Sequence, residues 1–407
     1  MSSILFVIDH MEGHIIPSFK LASSLRDKGH KVTYLSVIDN EEMVRGQGFH
    51  FRPLFAGIYS QGFNKDSKQQ IQSGTKDLQK LKGHLSSILD GELDRCIEEI
   101  NPDLFIINVA LRIEAILLYY KYKVRPVVLT TYLRESGLSF EEECVQVLVD
   151  VPADIAMDLI EYCMRSGLRF TSLREFLRPA GLFHELILCP RELDLDMEQS
   201  NDRTHYIGPS IFEKRKLGDI PDLSNLKDGV NVIYASMGSL TVAYGDASRQ
   251  FFRKLINCMR HKDMAGFHLF LSVGQEFDIS SLGPVPENIS VMKWISQPEM
   301  LQASSLIITH GGLGTIKESI YYGVPMILFP MMYDQFRNAR LIDHHLLGTS
   351  GKIQEISEED LRTVILSVLN NRQIYENVKR MQSIFREKDA GGDGVRIIEE
   401  ILENQRM

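Results

Sequence analysis

The chain has little that would let cysteine chemistry organise it. Its five cysteines, Cys96, Cys144, Cys163, Cys189 and Cys258, lie far apart and form no C-x-x-C pair. An odd, widely spaced set argues against a disulfide frame and predicts reduced thiols in a soluble, cytoplasmic protein. Long apolar runs are also missing. No window approaches the ~18–20 residues of a membrane span. The apolar stretch Ile4 to Ile8 is cut short by Asp9 and His10, so the N-terminus does not read as a signal peptide. A basic surplus is missing too. Lys and Arg number 45 against 54 Asp and Glu, a net charge of −9, which argues against nucleic acid or an anionic membrane as the main partner. No G-x-G-x-x-G dinucleotide fingerprint follows a strand, and there is a single tryptophan, Trp294.

What is present is an ordinary globular composition, 44% hydrophobic and 24% charged, over 407 residues. That length suggests two domains. The run Ile4 to Ile8 reads as a strand, followed by a glycine-containing loop, a helix over Ser18 to Arg26 and a second strand over Lys31 to Ser36. This is a β-α-β unit, the mark of a parallel sheet. The pattern restarts at Val230 to Ser236, with a helix from Ala247 to His261 and strands at Phe267 to Val273, Ile289 to Met292, Leu306 to Thr309 and Met326 to Phe329. The spacing therefore predicts two facing α/β domains, 1–210 and 229–385, joined by a Pro-, Gly- and charge-rich linker at 211–228. A tail at 386–407 carries one amphipathic helix expected to pack back on the first domain. The irregular stretch 135–183 is either a wall of an acceptor pocket or a cover for the sheet.

One segment concentrates chemistry. In Thr309-His310-Gly311-Gly312-Leu313-Gly314-Thr315 a strand turns through three glycines into a helix. Backbone N–H groups at such a helix start make an anion site, and the missing side chains let a phosphate approach. His310 and Thr315 can add donors, while Glu318, one turn further, can accept from a ribose diol. Alone, this is equally an ordinary tight turn, and a lone tryptophan is more often a core residue. The neighbours Trp294-Ile295-Ser296-Gln297, Gly323-Val324-Pro325 and Asp334-Gln335 change that balance. Together they offer a plane for a base, acceptors for a diol, a phosphate cradle and an acid–amide pair for sugar hydroxyls.

From Trp294 to Ala339 the chain closely resembles the donor signature of the family 1 UDP-glycosyltransferases: W-x-x-Q, H-x-G-x-x-[ST]-x-x-E, G-V-P and D-Q-x-x-N. Gly13-His14-Ile15-Ile16-Pro17 and Lys28 to Thr33 also resemble the family's opening. The H-G-G-x-G-T form is most similar to bacterial macrolide and aglycone members. The resemblance implies the GT-B fold, two facing Rossmann-like domains. It implies that Trp294, with Ile295, stacks on uracil and that Gln297 and Glu318 bind ribose. Ser239, His310, Gly312, Gly314 and Thr315 would hold the pyrophosphate, and Asp334 and Gln335 would read the sugar. The co-substrate would be a UDP-sugar, UDP-glucose before a dTDP-deoxysugar, with no other cofactor required. The acceptor would be an apolar small molecule.

The same resemblance makes His14 the general base, in preference to its neighbour His10. Histidine suits that task because it titrates near neutrality. The family places an aspartate at a strand end to orient this base. The matching strand here, Leu104 to Ile107, is followed by Asn108. Asparagine can fix the tautomer but brings no charge to stabilise an imidazolium. Either Glu114 substitutes, or the acceptor is acidic enough, as a phenol is, to need little help, or catalysis is weak; the second reading is preferred. A non-catalytic partner protein and a transferase acting on lipid are the rivals. Finally, Asp194-Leu195-Asp196 is a D-x-D, a metal signature in another glycosyltransferase architecture. It is expected here to be a solvated surface segment, with no metal ligated.

Overall fold

The computed structural model of the chain describes all residues except 65–77, 135–137, 150–156, 158, 159, 162, 166, 171, 196–201, 216, 228 and 407. Part of the 135–183 stretch, and Asp196 of the D-x-D, therefore lie outside the described residues.

Two all-parallel sheets form. The first contains β1 (Ser3–Val7), β2 (Lys31–Ser36), β3 (His50–Pro53), β4 (Leu104–Asn108), β5 (Val127–Thr130), β6 (His184–Ile187) and β7 (Thr204–Tyr206), in the order β3-β2-β1-β4-β5-β6-β7. The second contains β8 (Asn231–Ser236), β9 (Phe267–Ser272), β10 (Ile289–Met292), β11 (Leu306–Thr309), β12 (Met326–Leu328) and β13 (Gly348–Ser350), in the order β10-β9-β8-β11-β12-β13. These are the two α/β halves that the repeated strand–loop–helix pattern predicts.

Why β1 is apolar from Ile4 onward follows from its place. It is hydrogen-bonded on both sides, Val7 standing in register with Leu35 of β2 and Ile107 of β4. Both of its faces are covered, as parallel strands require. Ile4, Phe6 and Ile8 pack on one face with Phe19 and Ala22 of the helix Ser18–Asp27. Leu5 and Val7 pack on the other with Ile116 and Leu117 of the helix Arg112–Tyr122. The C-terminal helix Asp393–Arg406 seals the first of these faces, burying Val395, Ile398, Ile401 and Leu402 in the same cluster. Its apolar stripe thus lies where the periodicity of the tail requires.

In the described part of 135–183, Phe140, Cys144, Phe176 and Phe183 pack into the cluster around the helix Arg112–Tyr122. Leu138, Glu143 and Gln146 line the cleft instead. The stretch both covers the sheet and walls the pocket.

Asp194 corrects an expectation. It is 7% exposed rather than solvated, and its Oδ1 accepts from Arg337 Nη2 at 2.6 Å across the two halves. The Tyr206 hydroxyl donates to its other oxygen at 2.7 Å. Lys317 adds a second tie between the halves, donating to the Leu188 carbonyl at 2.6 Å. Among the described residues no group of three or more His, Cys, Asp or Glu side chains is placed to hold a metal ion, and no helix is long and apolar enough to cross a membrane.

Candidate active site

Each sheet reverses its strand order once, between β1 and β4 in the first and between β8 and β11 in the second. Ligands of open parallel sheets bind outside the strand ends at such points. Here the two reversal points line one cavity of about 610 Å³ between the halves. His14, Ser239, Trp294, Ile295, Gln297, His310, Gly312, Gly314, Thr315, Glu318, Asp334 and Gln335 all contribute to its wall. Asn108 does not.

On the first half, the chain leaves β1 and turns through the short helix Glu12–Ile15, which carries His14 in its last turn. That turn folds His14 back on Asp9. Its Nδ1 lies 2.8 and 2.9 Å from the two carboxylate oxygens. The Asp9 backbone carbonyl is itself held by Ser36 Oγ of β2 at 3.0 Å and by Asn40 Nδ2 at 3.2 Å, so the main chain that carries the carboxylate is fixed. With Nδ1 donating to a carboxylate, Nε2 is the nitrogen left to accept a proton. Burial alone would lower the His14 pKa, but the charge and hydrogen bond of Asp9 outweigh it, and Asp334 adds to the upward shift. Burial likewise works to raise Asp9, and His14 reverses it, leaving that carboxyl below its ordinary value.

The side chain that holds the His14 ring is therefore Asp9, not Asn108. Asn108 is fully buried; its Oδ1 accepts from Ala110 N at 2.9 Å and its Nδ2 reaches Thr131 Oγ1 at 3.5 Å. It caps the turn Val109–Leu111. Glu114 is not the substitute either. It accepts from His84 Nδ1 at 2.7 Å, and the Tyr59 hydroxyl closes on the other ring nitrogen of His84. His10 stacks on Tyr59, 6.1 Å between centroids, and lines a separate cavity of about 290 Å³. The signal for Asp9 was available: a carboxylate at the end of a strand, five residues before the histidine. A single helical turn between them brings such a pair together.

On the second half, β11 ends at Thr309 and the helix Leu313–Tyr322 begins after Gly312 with no side-chain cap and no acidic residue in its first turn. Its free N–H groups open on the cavity and carry the positive end of the helix dipole. The His310 ring is wedged between two glycines. A Cβ on Gly238 would stand 2.4 Å from its Cε1, and one on Gly312 would stand 2.7 Å from its Nε2. Burial pushes the His310 pKa down to about 4, against a hydrogen bond with the Ser236 backbone that favours the charged form, so the ring is neutral and carries a single N–H. Burial also raises Asp334, against the pull of Asn338 and of the His14 charge. Gln335 is largely committed inside the protein. Its Oε1 accepts from Met331 N at 2.8 Å and Met332 N at 3.0 Å, and its Nε2 donates to Tyr244 OH at 3.1 Å. It shapes the loop that carries Asp334 and has one N–H to spare.

Cations line the cavity too, but each is engaged: Arg112 with Tyr132, Arg134 with Glu143 and Glu185, Arg215 with Glu318, Lys317 with Leu188, and Arg337 with Asp194. An anion in the cradle would thus be met chiefly by backbone amides and neutral donors.

The glycines supply a paired prediction. Gly238 has φ +77°, and any Cβ there strikes His310. Gly238→Ala is expected to lower folding stability by about 1–3 kcal/mol, from overpacking and a strained backbone. Gly314 has nothing within 4 Å of an added Cβ. Gly314→Ala should leave the melting temperature unchanged or higher, since alanine favours a helix by up to about 1 kcal/mol. It should nevertheless weaken nucleoside diphosphate binding in calorimetry, because the methyl occupies the cradle.

The model for the family described as UDP-glucoronosyl and UDP-glucosyl transferase matches residues 277–391, the half that holds this cradle. Over nearly its whole length the chain is 26% identical to the NDP-glycosyltransferase YjiC of Bacillus subtilis (strain 168), covering 93% of this chain and 92% of that protein. It is also 26% identical to a demethyllactenocin mycarosyltransferase of Streptomyces fradiae, over 97% of this chain and 85% of the relative. Among solved structures, the kitacinnamycin glycosyltransferase superposes with a TM-score of 0.78 at 22% identity, covering 98% of both chains. The calicheamicin glycosyltransferase CalG4 superposes with a TM-score of 0.75 at 20% identity, covering 100% of this chain and 98% of that one. These two establish the frame as GT-B. On that frame the chain is similar to glycosyltransferases along its full length, and its segment 277–391, which holds the glycine turn, carries the match to the UDP-glucoronosyl and UDP-glucosyl transferase family.

Proposed function

We propose that the protein is an inverting transferase that moves a hexose, glucose, from a UDP-sugar to a hydroxyl of an apolar small-molecule acceptor such as an aromatic or polyketide aglycone. In this reading residues 1–210 bind the acceptor, 229–385 bind the donor, 211–228 join them and 386–407 return to the first half. The observation that carries it is the Asp9–His14 pair, coupled electrostatically to Asp334 across a cavity whose far wall is the helix start at Leu313. His14 Nε2 takes the proton of the acceptor hydroxyl. The acceptor oxygen then attacks the anomeric carbon in line, and the bond from that carbon to the β-phosphate oxygen breaks. UDP leaves with its charge facing the helix amides, Ser239, Thr315 and His310, a preorganised set of donors. One in-line displacement inverts the anomeric centre. Trp294 serves the base, Gln297 and Glu318 the ribose, and Asp334 the sugar hydroxyls.

Asp9 alters the expectation about the acceptor. A carboxylate beside His14 stabilises the imidazolium, so the argument that only an acidic phenol would react loses its basis, and aliphatic hydroxyls come within reach. It also removes the one feature, Asn108, that favoured a non-catalytic partner. Incubating the protein with UDP-glucose and a panel of phenolic and aliphatic aglycones should give products heavier by one hexosyl unit, with the β-anomer seen by NMR. A retained α-anomer, or no hexosyl product together with no affinity for UDP, would overturn the proposal.

A further inference from the structure

Glu318, the carboxylate assigned to the ribose, is already occupied. Arg215 Nη1 donates to its Oε1, Arg215 Nη2 to its Oε2 at 2.9 Å, and Gln297 Nε2 to Oε2 at 2.7 Å. A carboxylate offers about four lone-pair sites, so about one is left. The Gln297 amide nitrogen is spent on the same carboxylate and on Thr315 Oγ1 at 3.5 Å, which leaves only its neutral carbonyl for a ligand.

Arg215 comes from the linker, 103 positions from Glu318 in the chain, and it is held in place. Its neighbour Asp219 pairs in parallel with Ile295, with Asp219 N donating to the Trp294 carbonyl at 3.0 Å and Ser296 N to the Asp219 carbonyl at 2.9 Å. Gly218 lies at φ +85° against the tryptophan, where a Cβ would stand 2.6 Å from Trp294 Cδ1. The Arg215 and Glu318 side chains are only 9% and 8% exposed. A neutral ribose hydroxyl does not displace a buried bidentate guanidinium, because the charge-assisted pair is the stronger.

We infer that Arg215 sets the nucleotide specificity of this transferase by occupying most of Glu318, so that the site does not read the ribose 2′-hydroxyl and takes ribo- and 2′-deoxyribonucleoside diphosphate sugars alike. The inference rests on the donor site proposed above. One hydroxyl, the 3′ common to both sugars, finds the remaining carboxylate lone pair. The 2′-hydroxyl finds at most the neutral Gln297 carbonyl. Donor sugars built on a deoxynucleotide are therefore substrates of the same cavity.

Calorimetric titration with UDP and 2′-deoxy-UDP tests this. In the native protein the two affinities should differ by less than about tenfold, the reach of a neutral hydrogen bond. Arg215→Ala frees two carboxylate sites, and the preference for UDP should then rise to about 10–100-fold, the range of a hydrogen bond to a charged group. Arg215→Lys, donating to one oxygen, should fall between. A native preference for UDP above about tenfold overturns the inference, and so does an unchanged ratio in a folded Arg215→Ala. Should that variant fail to fold, the native ratio and Arg215→Lys decide in its place. Binding of neither nucleotide overturns the donor site itself, and this inference with it.

Discussion

Replacing Asp9 by asparagine is expected to lower the turnover of glycosyl transfer by about 10⁴-fold, the loss seen when a carboxylate orienting a catalytic imidazole becomes an amide. UDP affinity should be unchanged, because Asp9 lies on the opposite half from the helix start at Leu313. Two things fail together. An amide can donate to Nδ1 and so favour the wrong tautomer, and no charge remains to stabilise the imidazolium. His14→Ala should be as damaging, and the double variant no worse than His14→Ala alone, since the two act as one unit.

The pH dependence follows from the same pair. The neutral imidazole is the active form, and the His14 pKa lies above its ordinary 6.5. The acid limb of kcat/KM should therefore fall at a pH above 6.5 in the native protein and move down in Asp9→Asn, where burial acts with less opposition. The contribution to stability has the opposite sense for the two partners. The His14 part is fully present below 6.5 and is lost as pH rises through the raised value. The Asp9 part is present above 3.8 and is lost as pH falls through its lowered value. The pair thus stabilises most between those limits, while the reaction gains its base on the alkaline side. An acid limb that does not move in Asp9→Asn would show that another group controls His14.

Arg337→Met is expected to lower stability by about 3–5 kcal/mol, the usual result of leaving a buried charge without its partner. The ion pair with Asp194 is 5% and 6% exposed on its two sides and joins the two halves of the molecule. Its loss should lower the urea midpoint and weaken the docking of the halves, so UDP binding and transfer should fall with it. Replacing both partners, Asp194→Leu with Arg337→Met, should recover much of the stability, because no unpaired charge is then buried. A single variant with the native midpoint would mean that the pair is solvated. Asn108→Asp makes a smaller contrast: it sets a charge in a fully buried cap, so it should destabilise without raising activity.

The paired α/β halves were legible because hydrophobic periodicity is a local property, and each strand–loop–helix repeats within a short stretch. That these side chains share one cavity was legible for a related reason. Trp294, Gln297, His310 to Thr315, Glu318, Asp334 and Gln335 come from consecutive strand ends of one sheet, and a parallel sheet brings its strand ends to a common edge. What those side chains bond to was not legible. Gln335 reads as a sugar ligand from its position, yet most of its hydrogen-bonding capacity goes to Met331, Met332 and Tyr244.

The sequence by itself determined the fold class, the glycine turn at the helix start and the histidine that shares its cavity, since each rests on residues close together in the chain. Only the tertiary structure decided that His14 is held by Asp9, that Glu318 is engaged by Arg215, and that Asp194 is an inter-domain anchor rather than a solvated acid. The last two pairings span 103 and 143 positions and exist only once the linker and the two sheets have docked. The first spans five, but needs the one-turn helix between β1 and Ile15 to bend the chain back on itself.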